Sequence, residues 1–116
     1  MTSRQDTVDF LLECLAQVDE VRAKRMFGEF GLYVGDRFVA VVCDDVLFMK
    51  PTQAGRRFFP EFSERPPFPG AKPWLVVPGD RWDGSQWLRE LFLLTASEVE
   101  PVPARKRSQR IRPGRD

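Results

Sequence analysis

The chain has 116 residues, of which 42% are hydrophobic and 30% are charged, and its formal net charge at pH 7 is +1. This length and composition are typical of one soluble globular domain. Histidine is absent, which excludes a Ser-His-Asp or Cys-His catalytic arrangement within the chain. No run approaches the roughly 20 apolar residues that cross a bilayer, and MTSRQDTVDF lacks the apolar segment of a secretory signal. We therefore expect a cytoplasmic protein.

The first predicted element is an amphipathic helix over about residues 7–20. Its apolar positions recur at helical spacing and form one face: Val8, Leu11, Leu12, Leu15 and Val18. Asp6 or Thr7 can accept hydrogen bonds from the free N–H groups at its start. A face this broad predicts packing against a sheet.

Four β-prone segments follow, and they predict an antiparallel meander. Gly28 and Gly31 bracket a turn or bulge, because glycine adopts backbone angles that other residues avoid. Gly35-Asp36 and Asp44-Asp45 are two-residue polar connections typical of tight hairpins. The strands are predicted over residues 22–27, 31–34, 37–43 and 46–50.

Both faces of this predicted sheet are apolar. Strict alternation divides the third strand into two apolar sets: Phe38, Ala40 and Val42 against Val39, Val41 and Cys43. An antiparallel sheet with one wet face should instead alternate apolar and polar residues. We therefore expect both faces to be covered, one by the first helix and the other by a second helix, an ordered loop or another subunit.

The second half of the chain predicts three further elements. Residues 52–59 favour a short helix, and the proline-rich residues 60–73 favour a loop. Residues 74–77 form a short apolar run that indicates a buried or edge strand. A final helix begins near Asp83, which has capping-box spacing to Gln86. Its inward face comprises Trp87, Leu88, Leu91 and Leu94.

The chain ends in a basic tail. Residues 104–116 carry six basic residues and one acidic residue, a net charge of +5, whereas the remainder carries twelve basic and sixteen acidic, a net charge of −4. Low apolar content and like charges predict disorder. We therefore divide the chain into a folded domain, 1–103, and a disordered basic tail, 104–116. Such a tail can neutralise DNA phosphates without reading bases, and the candidate nucleic-acid-binding residues are Arg105, Lys106, Arg107, Arg110 and Arg112.

The sequence offers few groups for catalysis or metal binding. Adjacent carboxylates such as Asp44-Asp45 can hold a divalent cation or share a proton, but aspartate is also an ordinary turn former, and we interpret the pair as a turn. Cys14 and Cys43 are too few for a disulfide framework and lack CxxC spacing. We predict no catalytic, cofactor-binding or metal-binding residue. Three tryptophans close together are interpreted as packing residues, with stacking on bases as the alternative: Trp74, Trp82 and Trp87.

The segment RMFGEFGLYVGDRFVAVVCDDVLFMKPT resembles the TfoX/Sxy family, specifically its N-terminal domain. The resemblance rests on Met26-Phe27-Gly28, on Asp44-Asp45 leading to a strand that ends at Lys50, and on FPGAKP at residues 68–73. It implies an α+β fold with a curved antiparallel sheet flanked by N- and C-terminal helices, like that of secretion chaperones. It also implies a homodimer, and a role in regulating competence together with a transcription factor at promoters.

Three functional hypotheses follow. The first is a non-enzymatic regulatory module that binds another protein, such as a transcription factor, with weak DNA contact through the tail. The second is a chaperone-like binder of a peptide or helix with no role at nucleic acid. The third is an enzyme, which the absence of histidine and of clustered polar groups disfavours.

Overall fold

The computed structural model describes residues 5–26, 29–82 and 85–101. The predicted Gly28 turn, the Asp83 cap and the basic tail lie outside these residues. The helices are α1 (Gln5–Cys14), α2 (Gln53–Phe58) and α3 (Ser85–Glu98), with a short 3-10 turn at Gly79–Arg81. The strands are β1 (Val21–Met26), β2 (Glu29–Val34), β3 (Arg37–Cys43), β4 (Val46–Met49), β5 (Ser63–Arg65) and β6 (Trp74–Val77).

The six strands form one antiparallel sheet in the order β1-β2-β3-β4-β6-β5. The predicted meander is confirmed, and so are both two-residue turns. Gly35 has φ +62°, while Asp44 and Asp45 have φ 54° and 63°. Positive φ at both central residues of the second turn is the backbone geometry that matches the right-handed twist of a hairpin. The α+β fold class is also as predicted: α1 precedes the first strand in the chain, and α3 follows the last one.

A bulge in β3 overturns the predicted division of its two faces. Leu32 pairs with Ala40, but the next residue, Tyr33, pairs with Phe38, so Val39 is an extra residue in β3. Val39 therefore packs with Ala40 in the helix-side core, and Phe38 lies on the opposite face. Strict alternation had placed these two residues the other way round. It was wrong because one extra residue reverses the side on which each later side chain points.

The first helix is shorter than predicted. It ends at Cys14 rather than at residue 20, and turns occupy residues 15–20. Leu15 and Val18 are still buried, because the Val18 N–H donates to the Leu15 carbonyl at 2.9 Å and keeps the pair on one side of the chain. Spacing of three residues suits such a turn as well as it suits a helix.

Strand β5 was not predicted. Ser63–Arg65 lies within the segment expected to be loop, and it pairs with β6 at the edge of the sheet. All three residues are exposed, so the segment carries no apolar alternation that would have indicated a strand.

Helices cover one face of the sheet. This helix-side core includes Leu11 of α1, Leu32 of β2, Val39 of β3 and Phe92 of α3, all fully buried. The opposite face, called here the outer face, has its own smaller cluster around Val41, Cys43 and Phe48. Among the described helices, none has the length and hydropathy to cross a membrane.

Candidate binding cavity on the outer face

The outer face is apolar and rich in aromatic rings. Tyr33 and Phe38 are 5.1 Å apart between ring centroids, and Phe38 and Trp74 are 6.0 Å apart with an edge-to-face geometry. These rings surround buried Val41 and Cys43. The bulge at Val39 creates this arrangement, because it turns Phe38 toward Tyr33 and Trp74 rather than toward α3.

An ordered loop covers part of this face and leaves a cavity of about 610 Å³ beneath it. Pro67, Phe68 and Pro69 form the loop side of the cavity, and Phe38, Val41, Cys43 and Trp74 are among the residues on its sheet side. The volume lies within the range of sites that bind small molecules. Of the three covers expected for the second face, a helix, an ordered loop or another subunit, a loop is present over part of it.

The covering loop is held by its own backbone chemistry. Three prolines at 66, 67 and 69 restrict the chain, and the Ala71 N–H closes a turn by donating to the Phe68 carbonyl at 3.1 Å. Gly70 has φ +89°, a conformation that suits glycine best. The turn leaves the Phe68 side chain 55% exposed at the cavity.

One end of the cavity is acidic. Glu29 and Asp44 both line it, and the Asp44 backbone N–H donates to the Glu29 carboxylate at 3.3 Å. Burial, and then the charges of Glu29 and Asp44, raise the pKa of the Cys43 thiol to about 11. This thiol is therefore protonated at neutral pH, and a protonated thiol is a poor nucleophile.

Cations flank the aromatic rings of the outer face. The Arg22 guanidinium lies 4.7 Å from the Tyr33 ring centroid, and the Lys50 ammonium lies 5.2 Å from that of Phe38. Burial lowers the pKa of Lys50. These contacts are cation–π interactions, which order the rings as well as the cations. The Lys50 ammonium lies beside Phe38, near the start of β3, whereas Asp44 follows the last residue of that strand.

The cavity is better suited to binding than to covalent chemistry. Apart from Glu29 and Asp44 at the acidic end, its walls are mainly aromatic rings and prolines, and its thiol is held in the neutral form. Within residues 5–26, 29–82 and 85–101, no group of three or more cysteine, aspartate or glutamate side chains could hold a metal ion.

Sequence reasoning found some of these residues and missed others. Asp44-Asp45 is a turn, as interpreted, but Asp44 also lines the cavity. Trp82 is buried in the core, and Trp87 stacks against Phe58 at 5.6 Å, so both are packing residues as expected. The cavity itself was missed, because it depends on which face the loop covers. A phenylalanine placed among prolines, Phe68, was the available signal.

Comparisons with known proteins found similarity over most of the chain. A family model described as TfoX N-terminal domain matches residues 13–99. An uncharacterized 12.7 kDa protein in the trpE 5′ region of Spirochaeta aurantia is 37% identical over 94 residues, which cover 81% of this chain and 80% of that protein.

Proposed function

The chain belongs to the TfoX N-terminal domain family, and from this premise we propose that it is a non-enzymatic regulatory module that binds another protein through the cavity on its outer face. The family is a non-catalytic one associated with competence-related proteins. The residues of this chain add a candidate binding surface to that family assignment. The helix side of the sheet is occupied by α1 and α3, so the outer face is the side of the sheet on which a partner can bind.

The observation that carries this proposal is the exposed Phe68 side chain beside the apolar cavity. A large aromatic residue that is 55% exposed contacts water at a cost. Aromatic residues, phenylalanine included, are enriched at the cores of protein interfaces. The turn closed by the Ala71 N–H, with Gly70 at positive φ, fixes the backbone from which the Phe68 ring extends.

A photocrosslinking experiment tests the proposal. Benzoylphenylalanine placed at position 68 of the full chain, expressed in the native host, should give a discrete adduct on illumination. The matched control is the same residue at Leu93, which is 49% exposed on α3. Excess unlabelled wild-type chain should reduce the adduct, whereas an excess of the Phe68→Ala chain should not.

Two results would contradict the proposal. One is the absence of an adduct at position 68. The other is the same set of adducts at both positions, which would indicate random collision. We expect both variants to fold, because both side chains are about half exposed and neither belongs to the two buried clusters.

The basic tail supplies the second part of the proposal. We propose that Arg105, Lys106, Arg107, Arg110 and Arg112 make weak contacts with DNA phosphates while the folded domain holds its protein partner, such as a transcription factor. The net charge of +5 over residues 104–116 supports this part. The alternative, a chaperone-like binder of a peptide or helix, uses the same cavity and needs no DNA affinity. A homodimer stays a prediction of the family resemblance.

A further inference from the structure

The charges around the cavity indicate the chemistry of what it binds. Among the described residues that line it, the two charged ones, Glu29 and Asp44, are both acidic and adjacent to each other. The Phe38 and Trp74 rings line the same cavity. Aromatic faces next to carboxylates attract a cation that carries apolar groups, through cation–π contact and charge-assisted hydrogen bonds.

The thiol of Cys43 reports that this negative field reaches the sheet side of the cavity. Cys43 is only 6% exposed, and this burial is the main cause of its raised pKa, to which the charges of Glu29 and Asp44 add. A field that opposes formation of a thiolate favours a cation at the same place.

The flanking cations give the cavity a direction. The Lys50 ammonium lies against the Phe38 ring, near the beginning of β3, while Asp44 directly follows the end of β3. A positively charged group is therefore repelled from the Lys50 end and attracted to the two carboxylates at the Asp44 end. The Arg25 guanidinium, 4.7 Å from the ring centroid of the lining residue Phe30, offsets part of that attraction. The apolar neighbours of the positively charged group then lie against the rings between the two ends.

We propose that the cavity binds an arginine or lysine side chain that a partner protein presents next to a large apolar residue. The cationic group lies at Glu29 and Asp44, and the apolar residue contacts Phe68 and the rings of the sheet. This inference rests on the proposed function and specifies the partner's chemistry. A peptide segment fits better than a free amine, because Phe68 extends from the cavity into solvent and offers contact to residues beside the inserted one.

Three labelled peptides that differ in one residue test the proposal. The frame is Gly-Leu-X-Leu-Gly, with X as arginine, as citrulline, which has the same shape without the charge, or as glutamate. Binding to the full chain is measured by NMR titration, which detects millimolar affinities. The arginine peptide should bind at least about tenfold more tightly than the citrulline peptide, since hydrogen bonds between charged groups exceed neutral ones by this order. It should shift the amides of Asp44, Phe38 and Phe68.

The chain provides matched variants. Asp44→Asn removes the charge but keeps the turn, because asparagine tolerates the φ of 54° at this position. Glu29→Gln keeps an oxygen that can accept the Asp44 N–H. Each should reduce the preference for arginine over citrulline severalfold. Asp45→Asn is the control, since Asp45 has the same turn conformation and its carboxylate is outside the set of described residues that line the cavity. It should preserve the preference.

Several outcomes would overturn the inference. They are equal binding of the arginine and citrulline peptides, tightest binding of the glutamate peptide, failure of all three to bind, and equal losses in Asp44→Asn and Asp45→Asn. Another occupant would also overturn it. If a second copy of the chain fills the cavity, sedimentation should show self-association that Asp44→Asn abolishes. If the chain's own basic tail fills the cavity, removing the positive charges of the tail should make the peptides bind more tightly.

The failure of this inference is distinguishable from the failure of the proposed function. A discrete adduct at position 68 without any preference for a cationic peptide would leave the binding module intact and reject only the partner's chemistry. The absence of the adduct would reject the module itself.

Discussion

A single side chain, the Cys43 thiol, offers the most direct measure of the cavity's environment. Its pKa of about 11 has burial as the main cause and the charges of Glu29 and Asp44 as further causes. An ordinary thiol has a pKa of about 9. Below that pH, Cys43 has a roughly hundredfold smaller thiolate fraction than an ordinary cysteine. We expect alkylation by iodoacetamide at Cys43 to be slower by about this factor than that of a free thiol.

The measurement uses a Cys14→Ser background, so that Cys43 alone reports. The rate should rise with pH up to about 11 rather than level off near 9. Glu29→Gln removes one of the two charges and should move the rise in alkylation rate to a lower pH. This shift should be smaller than the part of the pKa change that burial causes, because burial is the larger cause. A rate at pH 8.5 equal to that of a free thiol would contradict both the burial and the field.

The sign of the stability effect follows from the same pKa. The folded state holds the Cys43 proton more tightly than the unfolded state does, so between about pH 9 and 11 the folded protein binds more protons. The free energy of unfolding contributed by this group is therefore fully present below pH 9 and is lost as the pH rises toward 11. The effect should disappear in Cys43→Ala, which has no proton to release.

At the scale of elements, α2 depends on a residue of α3. The Glu98 carboxylate accepts from the Gln53 N–H at 3.0 Å and from the Ala54 N–H at 3.2 Å, while the Thr52 hydroxyl accepts from the Gly55 N–H at 3.0 Å. Together they satisfy three of the four free donors at the start of a helix. A helix of six residues has little stability of its own. Glu98 therefore joins the end of α3 to the start of α2.

We expect Glu98→Ala to lower the free energy of unfolding by about 1 kcal/mol, the usual loss for a helix cap. Urea denaturation of the full chain measures it. The control is Glu90→Ala, an exposed position on the same helix, which should change stability little. Thr52→Ala should show a loss of the same order, about 1 kcal/mol or somewhat more because Thr52 is buried. Identical stabilities for Glu98→Ala and Glu90→Ala would show that the cap contributes nothing.

Sequence patterns predicted those elements whose cause is local. The turns at Gly35-Asp36 and Asp44-Asp45 and the strand at 74–77 follow from glycine, aspartate and β-branched chemistry within a few residues. The bulge at Val39 could not be predicted, because it is a property of how β3 pairs with β2 and leaves no mark in the apolar pattern of β3 alone. The cavity has the same origin. It exists because the bulge places Phe38 on the outer face and because a loop distant in sequence covers part of that face.

At the scale of the whole molecule, the two faces of the sheet are used differently. One face packs against α1 and α3 and supplies most of the buried apolar residues. The outer face is partly covered by the loop at residues 66–73 and retains a cavity. The described chain ends at Pro101, which pairs with Arg37 at the start of β3. The Arg37 guanidinium also donates to the Ala96 and Val99 carbonyls at the end of α3, so the point from which the tail continues is fixed to the folded domain.

Charge is likewise divided over the whole molecule, and this division predicts how DNA affinity should respond to salt. The rest of the chain has a net charge of −4, so the proposal assigns the attraction to phosphate to the tail. If all five candidate residues contact phosphates, the logarithm of the binding constant should fall with the logarithm of salt concentration with a slope of up to about −4.5. Fluorescence anisotropy with a labelled duplex measures this slope.

The decisive variant replaces Arg105, Lys106, Arg107, Arg110 and Arg112 by glutamine, which keeps the chain length and removes the charge. The slope should fall to near zero together with the affinity, because the remaining chain is acidic and repels phosphate. Arg22→Gln is the matched control: Arg22 is exposed on the outer face at the Tyr33 ring, and its loss removes one positive charge from the folded domain. That variant should keep nearly all of the slope. DNA affinity that survives in the tail variant but falls in Arg22→Gln would place the contact on the sheet and reject the tail as the DNA-binding element.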